Sequence, residues 1–315
     1  MEYTCCEYIH SAIAFYPDKA VCCHDKSNAP VIYIPKDKKL SLSEIEHNRL
    51  ELIEKCKKGE IPKECEGCYR LQKKEWENSL IKFLRIEHAT ACDLKCIYCD
   101  FSKNPEHYCG DKHVSAKYEV SPLLKEMFKK KKFDNPNVFI SGGEPTCLKE
   151  FDDILKLFLK NPVGEIFMMS SGIKFNKFVN ELLKKEKITL EIACDAGSKE
   201  TYNKIKGLDI YEKHIEVLKK YVDTVKKNAP YRVINKYVLV NGVNDFQDEI
   251  EKWLINSKRA FSWYVKLDLD WRNLDNQELA EKYKKLFDYY NHRTDELWME
   301  RVDSWTVKDR FPDFL

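Results

Sequence analysis

The chain has 315 residues, and 54 basic side chains nearly balance 52 acidic ones, for a net charge of +2 at neutral pH. This balance gives no reason to expect nucleic acid or an anionic membrane as a partner. No stretch is long and apolar enough to span a bilayer, and the acidic N-terminus lacks the basic start of a signal peptide, so we expect a cytoplasmic protein. In that compartment the 13 cysteines are expected to be reduced thiols or metal ligands rather than disulfides.

The first part of the chain, residues 1–80, is rich in cysteine, and its short apolar runs are broken by proline and charge. This pattern predicts a small module separate from the rest of the chain. Its cysteines are Cys5 and Cys6, Cys22 and Cys23, Cys56, and the C-x2-C pair Cys65 and Cys68. Because neighbours in a strand face opposite sides, only one member of each adjacent pair is expected to bind a metal.

From residue 81 onward, strand-like and helix-like segments alternate. The strand-like segments are 81–89, 137–143, 165–172, 188–196, 231–240 and 260–271, and the helical ones are 121–130, 151–160, 177–185, 211–225, 245–256 and 276–293. The first helix is predicted to have Ser121 as its cap, with Pro122 at its first position. Alternation implies parallel strands with right-handed crossovers, in an open doubly wound sheet or an open (β/α)6 barrel. In either fold, ligands bind at the carboxyl ends of the strands.

Three cysteines follow the first of these strands with the spacing C-x3-C-x2-C: Cys92, Cys96 and Cys99. Three thiolates are one short of the four ligands of a structural zinc site. They suit an iron–sulfur cube with one iron left open, although the residues alone also allow a partial zinc knuckle or a chance cluster. The stretch SGGEPT at 141–146 ends the second strand, and its two glycines allow a backbone to approach a ligand closely.

Together these motifs resemble those of the radical S-adenosylmethionine (SAM) superfamily. Its members carry C-x3-C-x2-C after the first strand of a partial (β/α)6 TIM-type barrel, with an aromatic residue, here Tyr98, before the third cysteine. The resemblance implies that Cys92, Cys96 and Cys99 hold a [4Fe-4S] cluster whose open iron chelates SAM. An electron from a flavodoxin- or ferredoxin-type donor would then cleave SAM to a 5′-deoxyadenosyl radical, which takes a hydrogen atom from a substrate.

The resemblance also implies which residues contact the cofactor. Glu144 would accept a hydrogen bond from the SAM ammonium group, and the other contacts follow from the order of the strands. The implied set is Tyr98, Gly142, Gly143, Glu144, Pro145, Ser170, Ser171, Asp195, Val243 and Asn244. From the residues alone, the serines and the loop at 241–245 could be plain turns, and Asp195 could be a helix cap.

The run at 8–24, followed by IPKECEGCYR, resembles the SPASM and twitch modules of the same superfamily, which bind auxiliary [4Fe-4S] clusters. Those modules usually follow the barrel, whereas here the cysteines precede it and none occurs after Cys194. The resemblance implies one auxiliary cluster held by Cys6, Cys22, Cys65 and Cys68. Structural zinc is the alternative, because two-plus-two cysteine sets are its usual form.

Several residues are candidates for the substrate side. Lys266, Asp268 and Asp270 share a face of the sixth strand, Lys236 lies on the fifth, and Glu87 and His88 end the first. The candidate catalytic groups are Cys147, Cys194 and Asp195, because a thiol near a strand end could donate a hydrogen atom to a substrate radical. A lone cysteine can equally be a buried hydrophobic residue. Cys56 and Cys109 have no predicted role.

The sequence thus predicts an α/β protein with an auxiliary cluster module at 1–80, a radical SAM partial barrel at 81–272 and a helical segment at 273–315. The expected substrate is a peptide, a protein or a carbohydrate, and the expected reaction is dehydrogenation, epimerisation or cross-linking. An auxiliary cluster can accept the electron of the substrate radical, which favours oxidation. The alternative is a non-catalytic metal-binding scaffold with a zinc-binding N-terminal module, although a scaffold needs neither the triplet nor GGEP.

Overall fold

The structure, a computed structural model, describes residues 2–23, 29–36, 39–76, 80–99, 116–226, 229, 232–240, 242–246, 248–253, 264–269 and 298–299. The chain divides into two compact units. The first comprises Met1–Cys92 and Glu106–Phe167, and the second comprises Asp93–Pro105 and Met168–Leu315.

The first unit begins with the cysteine-rich segment. Strand β1 (Tyr3–Cys6) pairs antiparallel with β5 (Leu71–Lys74), and helices α1 (Glu7–Ser11) and α2 (Leu42–Lys57) lie between them in the chain. The hydroxyl of Ser41 accepts from the Glu44 backbone N–H at 3.3 Å, which fixes the start of α2.

The main sheet of the first unit joins this segment to the predicted barrel. It contains β2 (Ala12–Tyr16), β3 (Lys19–Val21), β4 (Val31–Tyr33), β6 (Ile81–Ile86) and β7 (Phe133–Ile140). Strand β2 pairs in parallel with β6 and antiparallel with β3, β3 pairs antiparallel with β4, and β6 pairs in parallel with β7. The predicted boundary at residue 80 therefore falls inside one compact unit, whose sheet continues across it.

Two helices follow the parallel strands of the first unit, α3 (Ser121–Lys129) and α4 (Phe151–Lys160). The prediction that Ser121 caps α3 is wrong. Ser121 is the first residue of the helix, and its N-cap residue, Val120, makes no capping hydrogen bond through its side chain. Instead, the carboxylate of Glu150 accepts from the backbone N–H groups of Val120 and Ser121, at 2.9 and 2.7 Å respectively. A residue distant in sequence thus satisfies the donors that every helix start leaves open.

The second unit contains the end of β8 (Ile166–Ser170) and strands β9 (Ile188–Ala193), β10 (Val233–Leu239), β11 (Tyr264–Leu269) and β12 (Trp298–Met299), which lie side by side in that order. Strand β10 pairs in parallel with β9 and β11, and β11 pairs in parallel with β12. The helices are α5 (Lys177–Lys184), α6 (Lys199–Lys206) and α7 (Tyr211–Val222), and residues 248–253 are also helical. The sequence analysis missed α6, whose composition is largely polar.

The pairings confirm the predicted α/β class with a parallel sheet. Strand β7 begins at Phe133 rather than at 137, and β6 ends at Ile86 rather than at 89. The predicted helix at 276–293 lies outside the described residues, as does Cys109. Among the helices that the structure describes, none combines the length and the apolar character needed to cross a membrane.

Candidate active site

The GGEP loop at 142–145 follows β7 and packs on the segment that leads into the cysteine triplet. The backbone N–H of Gly143 donates to the carbonyl of Ala89 at 3.1 Å, and that of Glu144 donates to Ala91 at 2.8 Å. Main-chain groups therefore hold the loop. The first unit thus brings the second sequence motif against the residues that precede the first cysteine of the triplet.

Both glycines of this loop are required by the close approach of the two backbone segments. Gly142 has a φ of +103°, and a Cβ there would lie 2.6 Å from the carbonyl oxygen of Ala89. A Cβ on Gly143 would meet the carbonyl groups of Thr90 and Ala91. The group that the glycines approach here is the protein's own main chain, and their approach to SAM stays a prediction.

Glu144 and the turn that follows it are also fixed. The Glu144 side chain is 2% exposed, and its carboxylate accepts from the Thr146 backbone N–H at 3.2 Å and from the Thr146 hydroxyl at 2.6 Å. This contact caps the 3-10 turn Pro145–Cys147 and orients the carboxylate. Cys147 is partly exposed in that turn, and its proposed thiol chemistry stays a prediction.

Glu87 and His88, which follow the first barrel strand, have different surroundings. Arg85 donates through Nε to a carboxylate oxygen of Glu87 at 2.6 Å, and the hydroxyl of Ser141 donates to the same oxygen at 3.2 Å. His88 is fully buried, and its Nε2 lies 2.7 Å from a carboxylate oxygen of Glu150. Glu87 thus belongs to a polar cluster, and His88 belongs to a buried pair.

The cysteines of the triplet belong to different units. Cys92 lies in the first unit, whereas Cys96 and Cys99 lie in the second, and all three residues are partly exposed. The loop that carries Cys96 and Cys99 is held by backbone hydrogen bonds to the last turn of α6. These bonds run from Lys95 N–H to Lys206 O at 3.0 Å and from Ile97 N–H to Ile205 O at 2.9 Å.

Asp195 is the centre of a buried polar network in the second unit. Its side chain is 0% exposed, and one carboxylate oxygen accepts from both the Tyr98 hydroxyl and the Lys206 ammonium group. The other oxygen accepts from the Val238 backbone N–H at 2.7 Å. Protein donors therefore engage both oxygens, and direct contact of Asp195 with SAM or substrate stays a prediction.

Sequence reasoning missed Lys206, whose side chain is only 1% exposed. Burial lowers the pKa of its ammonium group, but the carboxylate of Asp195 outweighs burial and holds the pKa above its ordinary value. Lys206 ends a lysine-rich helix, where a lysine usually faces water and the helix dipole. No local pattern could have marked this residue, because its burial depends on a partner eleven residues away.

Asn244 and Val243 lie in the loop after β10. The Asn244 carboxamide donates to the backbone carbonyls of Asp195 and Val238, each at 2.8 Å, and accepts from Val240 N–H at 2.6 Å. Asn244 therefore fixes the loop to the Asp195 turn. Val243 is partly exposed beside it, and both assignments to the adenine side of SAM stay predictions.

Ser170 and Ser171 form the turn after β8. The Ser170 hydroxyl accepts from the Gly172 backbone N–H at 3.1 Å, and Gly172 has a φ of +69°. The ring of His214 packs directly under this glycine and is fully buried. Burial lowers the pKa of His214 to about 3, so the ring is neutral at physiological pH.

The remaining candidates occupy separate places in the second unit. Cys194 is fully buried and its thiol donates to the Ala196 carbonyl at 3.4 Å, and burial raises its pKa to about 12. Lys236 lies 3.4 Å from a carboxylate oxygen of Glu191, inside the unit. Strand β11 includes 266 and 268; Asp270 and the side chains of that strand lie outside the described residues.

Comparison with known proteins identifies the family. The family model described as the radical SAM superfamily matches residues 86–254. This chain belongs to the radical SAM superfamily. Members of this superfamily use a [4Fe-4S] cluster and SAM, and the matched residues include the triplet and GGEP.

The individual curated relatives have low sequence identity to this chain. "Probable GTP 3′,8-cyclase" of Saccharolobus islandicus (strain Y.N.15.51) is 25% identical over 140 residues, which are 44% of this chain and 43% of that protein. "Probable GTP 3′,8-cyclase" of Methanococcus aeolicus is 26% identical over 184 residues, which are 57% of this chain and 58% of that protein. The chain therefore covers less than two thirds of the length of these curated relatives.

A solved structure supports the fold. The crystal structure of Streptococcus suis SuiB bound to S-adenosylmethionine aligns with a TM-score of 0.51 and 17% identity. The alignment covers 81% of this chain and 55% of SuiB. At this level of identity the likeness concerns the fold alone.

Cys92, Cys96 and Cys99 supply the three thiols of the radical SAM donor set. Burial raises the pKa of the Cys96 thiol to about 11, and the nearby Lys206 ammonium group opposes this shift. The glycines of the GGEP loop, the expected SAM cradle, pack on the protein's own main chain, which any Cβ there would meet. Within the described part of the chain, no three His, Cys, Asp or Glu side chains group as a metal site.

The N-terminal thiols divide into two sets. The Cys5 thiol donates a hydrogen bond to the sulfur of Cys56, which raises the pKa of Cys5 and lowers that of Cys56. Burial, together with the nearby thiols of Cys6, Cys68 and Cys23, raises the pKa of Cys65 to about 12. Cys6 thus belongs with the C-x2-C pair, on the opposite side of β1 from Cys5.

The choice between Cys22 and Cys23 stays open. Burial raises the pKa of Cys22 well above its ordinary value, and Cys65, Cys23 and Cys6 add to this effect. Cys23 is partly buried against Ala14 and its neighbours. Both thiols therefore lie near Cys6 and Cys65.

A buried cation, Arg49, lies beside these thiols. Its side chain is 5% exposed, its guanidinium donates to the His10 carbonyl, and its Nε has no hydrogen-bond partner among the described residues. Burial lowers the pKa of Arg49 to about 10, and the Cys22 thiol opposes this shift. An incompletely satisfied buried cation favours negative charge nearby.

Replacing Gly143 with alanine should disrupt the GGEP cradle. The new Cβ would overlap the carbonyl of Ala91, so we expect the free energy of unfolding to fall by about 1–3 kcal/mol and SAM binding to weaken. Denaturant unfolding and calorimetric SAM binding to the anaerobically reconstituted chain measure these effects.

Gly59→Ala is the matched control, because a Cβ there meets nothing within 4 Å although its φ is +82°. Gly59→Ala should lower the free energy of unfolding only by the strain of that backbone conformation, and SAM binding should be unchanged. Equal SAM binding by Gly143→Ala and the wild-type chain would contradict the packing argument.

Proposed function

We propose that this chain binds a [4Fe-4S] cluster through Cys92, Cys96 and Cys99 and receives SAM at the GGEP loop. The observation that carries the proposal is the packing of GGEP on the backbone that leads into Cys92. That packing holds the GGEP loop against the backbone just before Cys92, and each motif follows a strand of one parallel pair. When bound, the cluster and SAM supply a 5′-deoxyadenosyl radical that abstracts hydrogen from a substrate.

The chain's own residues then have positioning roles. Thr146 holds the Glu144 carboxylate, which we propose accepts from the SAM ammonium group. The Asp195–Asn244 contact fixes the loop that we assign to the adenine side, and the Ser170 turn fixes the loop assigned to the ribose or carboxylate.

We further propose an N-terminal auxiliary [4Fe-4S] cluster held by Cys6, Cys22, Cys65 and Cys68. The pairing of Cys5 with Cys56 supports Cys6 as the ligand from the first adjacent pair. Arg49 supports an anionic site, since four thiolates around a metal centre leave net negative charge beside its guanidinium. Zinc remains the alternative metal, and Cys23 the alternative fourth ligand.

The proposed reaction is oxidation of a peptide, protein or carbohydrate substrate. Loss of a hydrogen atom to the radical leaves a substrate radical. Loss of a proton and transfer of one electron to the auxiliary cluster would complete a dehydrogenation. A flavodoxin- or ferredoxin-type protein is the proposed donor of the electron that initiates each turnover.

A second candidate is a reaction on a guanine nucleotide. It is favoured only by the names of the curated relatives, which match over less than two thirds of their length. GTP therefore belongs among the substrates to be tested.

Anaerobic chain reduced with dithionite should convert SAM to 5′-deoxyadenosine. We expect Cys96→Ala to lower the rate by about 100-fold or more, because a cluster ligand is lost. Cys56→Ala is the matched control, since Cys56 is a buried cysteine outside both proposed ligand sets. Chromatographic detection of 5′-deoxyadenosine provides the readout, and its absence with the wild-type chain would favour the scaffold alternative.

Addition of a substrate to this assay separates the candidate reactions. Dehydrogenation lowers the substrate mass by two hydrogen atoms, whereas epimerisation in deuterated water leaves the skeleton unchanged and adds deuterium. Consumption of GTP would instead support the nucleotide candidate.

The triple variant Cys92→Ala/Cys96→Ala/Cys99→Ala should retain iron and sulfide at the N-terminal thiols. Metal and sulfide analysis of anaerobically purified protein measures this, and further replacement of Cys65 and Cys68 should remove the remaining iron. Zinc at one ion per chain without residual iron would overturn the auxiliary cluster.

A further inference from the structure

The hydroxyl of Tyr98 links the cysteine loop to a buried ion pair. We propose, on the basis of the proposed cluster site, that Asp195 and Lys206 are positioning residues that hold Tyr98. Through Tyr98 they fix the conformation of the loop between Cys96 and Cys99. Their role is thus to hold two cluster ligands in place rather than to contact the reacting atoms.

The first argument is the cost of burying two charges. Asp195 is 0% exposed and Lys206 is 1% exposed, so both have lost nearly all contact with water. Desolvation of a buried ion pair often cancels its attraction, so such a pair is a weak source of stability. Asp195 also has a φ of +61°, which non-glycine residues rarely adopt. A role in positioning Tyr98 explains the buried ion pair and the φ of Asp195 better than a contribution to folding stability does.

The second argument is the direction of the contacts. The Tyr98 hydroxyl donates its hydrogen to Asp195. The oxygen of this hydroxyl also accepts from Lys206 Nζ at 3.0 Å. Both charged groups therefore meet on a single side-chain atom of the loop. That atom belongs to the residue directly before the third cysteine of the triplet.

The third argument is the way in which α6 ends. Gly207 takes a φ of +69° directly after the helix, so α6 stops while its last carbonyls still lack helical partners. The N–H groups of Lys95 and Ile97 bind the carbonyls of Lys206 and Ile205. The end of α6 thus holds the loop through two backbone bonds and one ammonium group.

The opposite end of the network is anchored in the sheet. The second carboxylate oxygen of Asp195 accepts from Val238 N–H on β10 at 2.7 Å. Asn244 donates to the Asp195 carbonyl at 2.8 Å. The loop is therefore connected to the sheet of its own unit through Tyr98 and Asp195.

Tyr98→Phe is the most selective test, because it removes one hydroxyl and retains the ring. In the anaerobically reconstituted full chain, we expect iron to pass to a chelator about tenfold faster than in the wild-type chain, as for other partners that orient metal ligands. The EPR spectrum of the reduced, SAM-bound cluster should also change. Lys206→Met should have the same two effects. The iron-transfer rate of the double variant should be only slightly higher than that of the faster single variant.

Glu249→Gln is the matched control at the other end of α6. Glu249 accepts from the backbone N–H groups of Gly197 and Ser198, at 2.9 and 2.8 Å, and does not contact the cysteine loop. It should lower the melting temperature without changing the iron-transfer rate or the EPR spectrum. Circular dichroism verifies the fold of every variant, and Tyr98→Phe alone decides if Lys206→Met fails to fold.

The outcomes separate this inference from the proposed function. If the wild-type chain loads the cluster and Tyr98→Phe matches it in iron transfer and EPR spectrum, the positioning role is overturned and the proposed function stands. Additive effects of Tyr98→Phe and Lys206→Met would also overturn it. If the wild-type chain loads no iron at the triplet, the proposed function itself fails.

Discussion

The close approach of two backbone segments is the constraint on which the first unit's part of the site depends. Strand β6 ends at Ile86, and residues 89–91 after it accept main-chain hydrogen bonds from the GGEP loop. Any side chain at Gly142 or Gly143 would prevent this contact. Because the strands before these segments are parallel neighbours, both motifs emerge at the same edge of the sheet.

The second unit supports the cysteine loop differently, through buried charge rather than close backbone packing. Tyr98 bonds to a carboxylate and an ammonium group that are both inside the protein. Backbone carbonyls at the end of α6 provide the remaining contacts. The cysteine-rich segment repeats this pairing of charge and thiol, since Arg49 is buried beside Cys22. Lys206 is thus a buried cation near Cys96 in the second unit, and Arg49 is a buried cation near Cys22 in the first.

Local pattern predicted much of the fold, and contacts between distant residues account for what it missed. Helix α4 has the predicted bounds, 151–160, because its apolar spacing is regular. The parallel pairing of β2 with β6 was not predicted, since nothing in either segment specifies its partner. Glu150 replaces Ser121 as the cap of α3 for the same reason. The motifs could be found from spacing, whereas the burial of Lys206 depends on tertiary structure.

We propose above all that three thiolates hold a [4Fe-4S] cluster whose open iron receives SAM. The most direct measurement is EPR spectroscopy of the anaerobically reduced full chain before and after addition of SAM, with Cys96→Ala as the comparison. We expect an iron–sulfur signal that SAM alters in the wild-type chain and not in Cys96→Ala. Zinc in place of iron at the triplet, or a signal that SAM leaves unchanged, would contradict it.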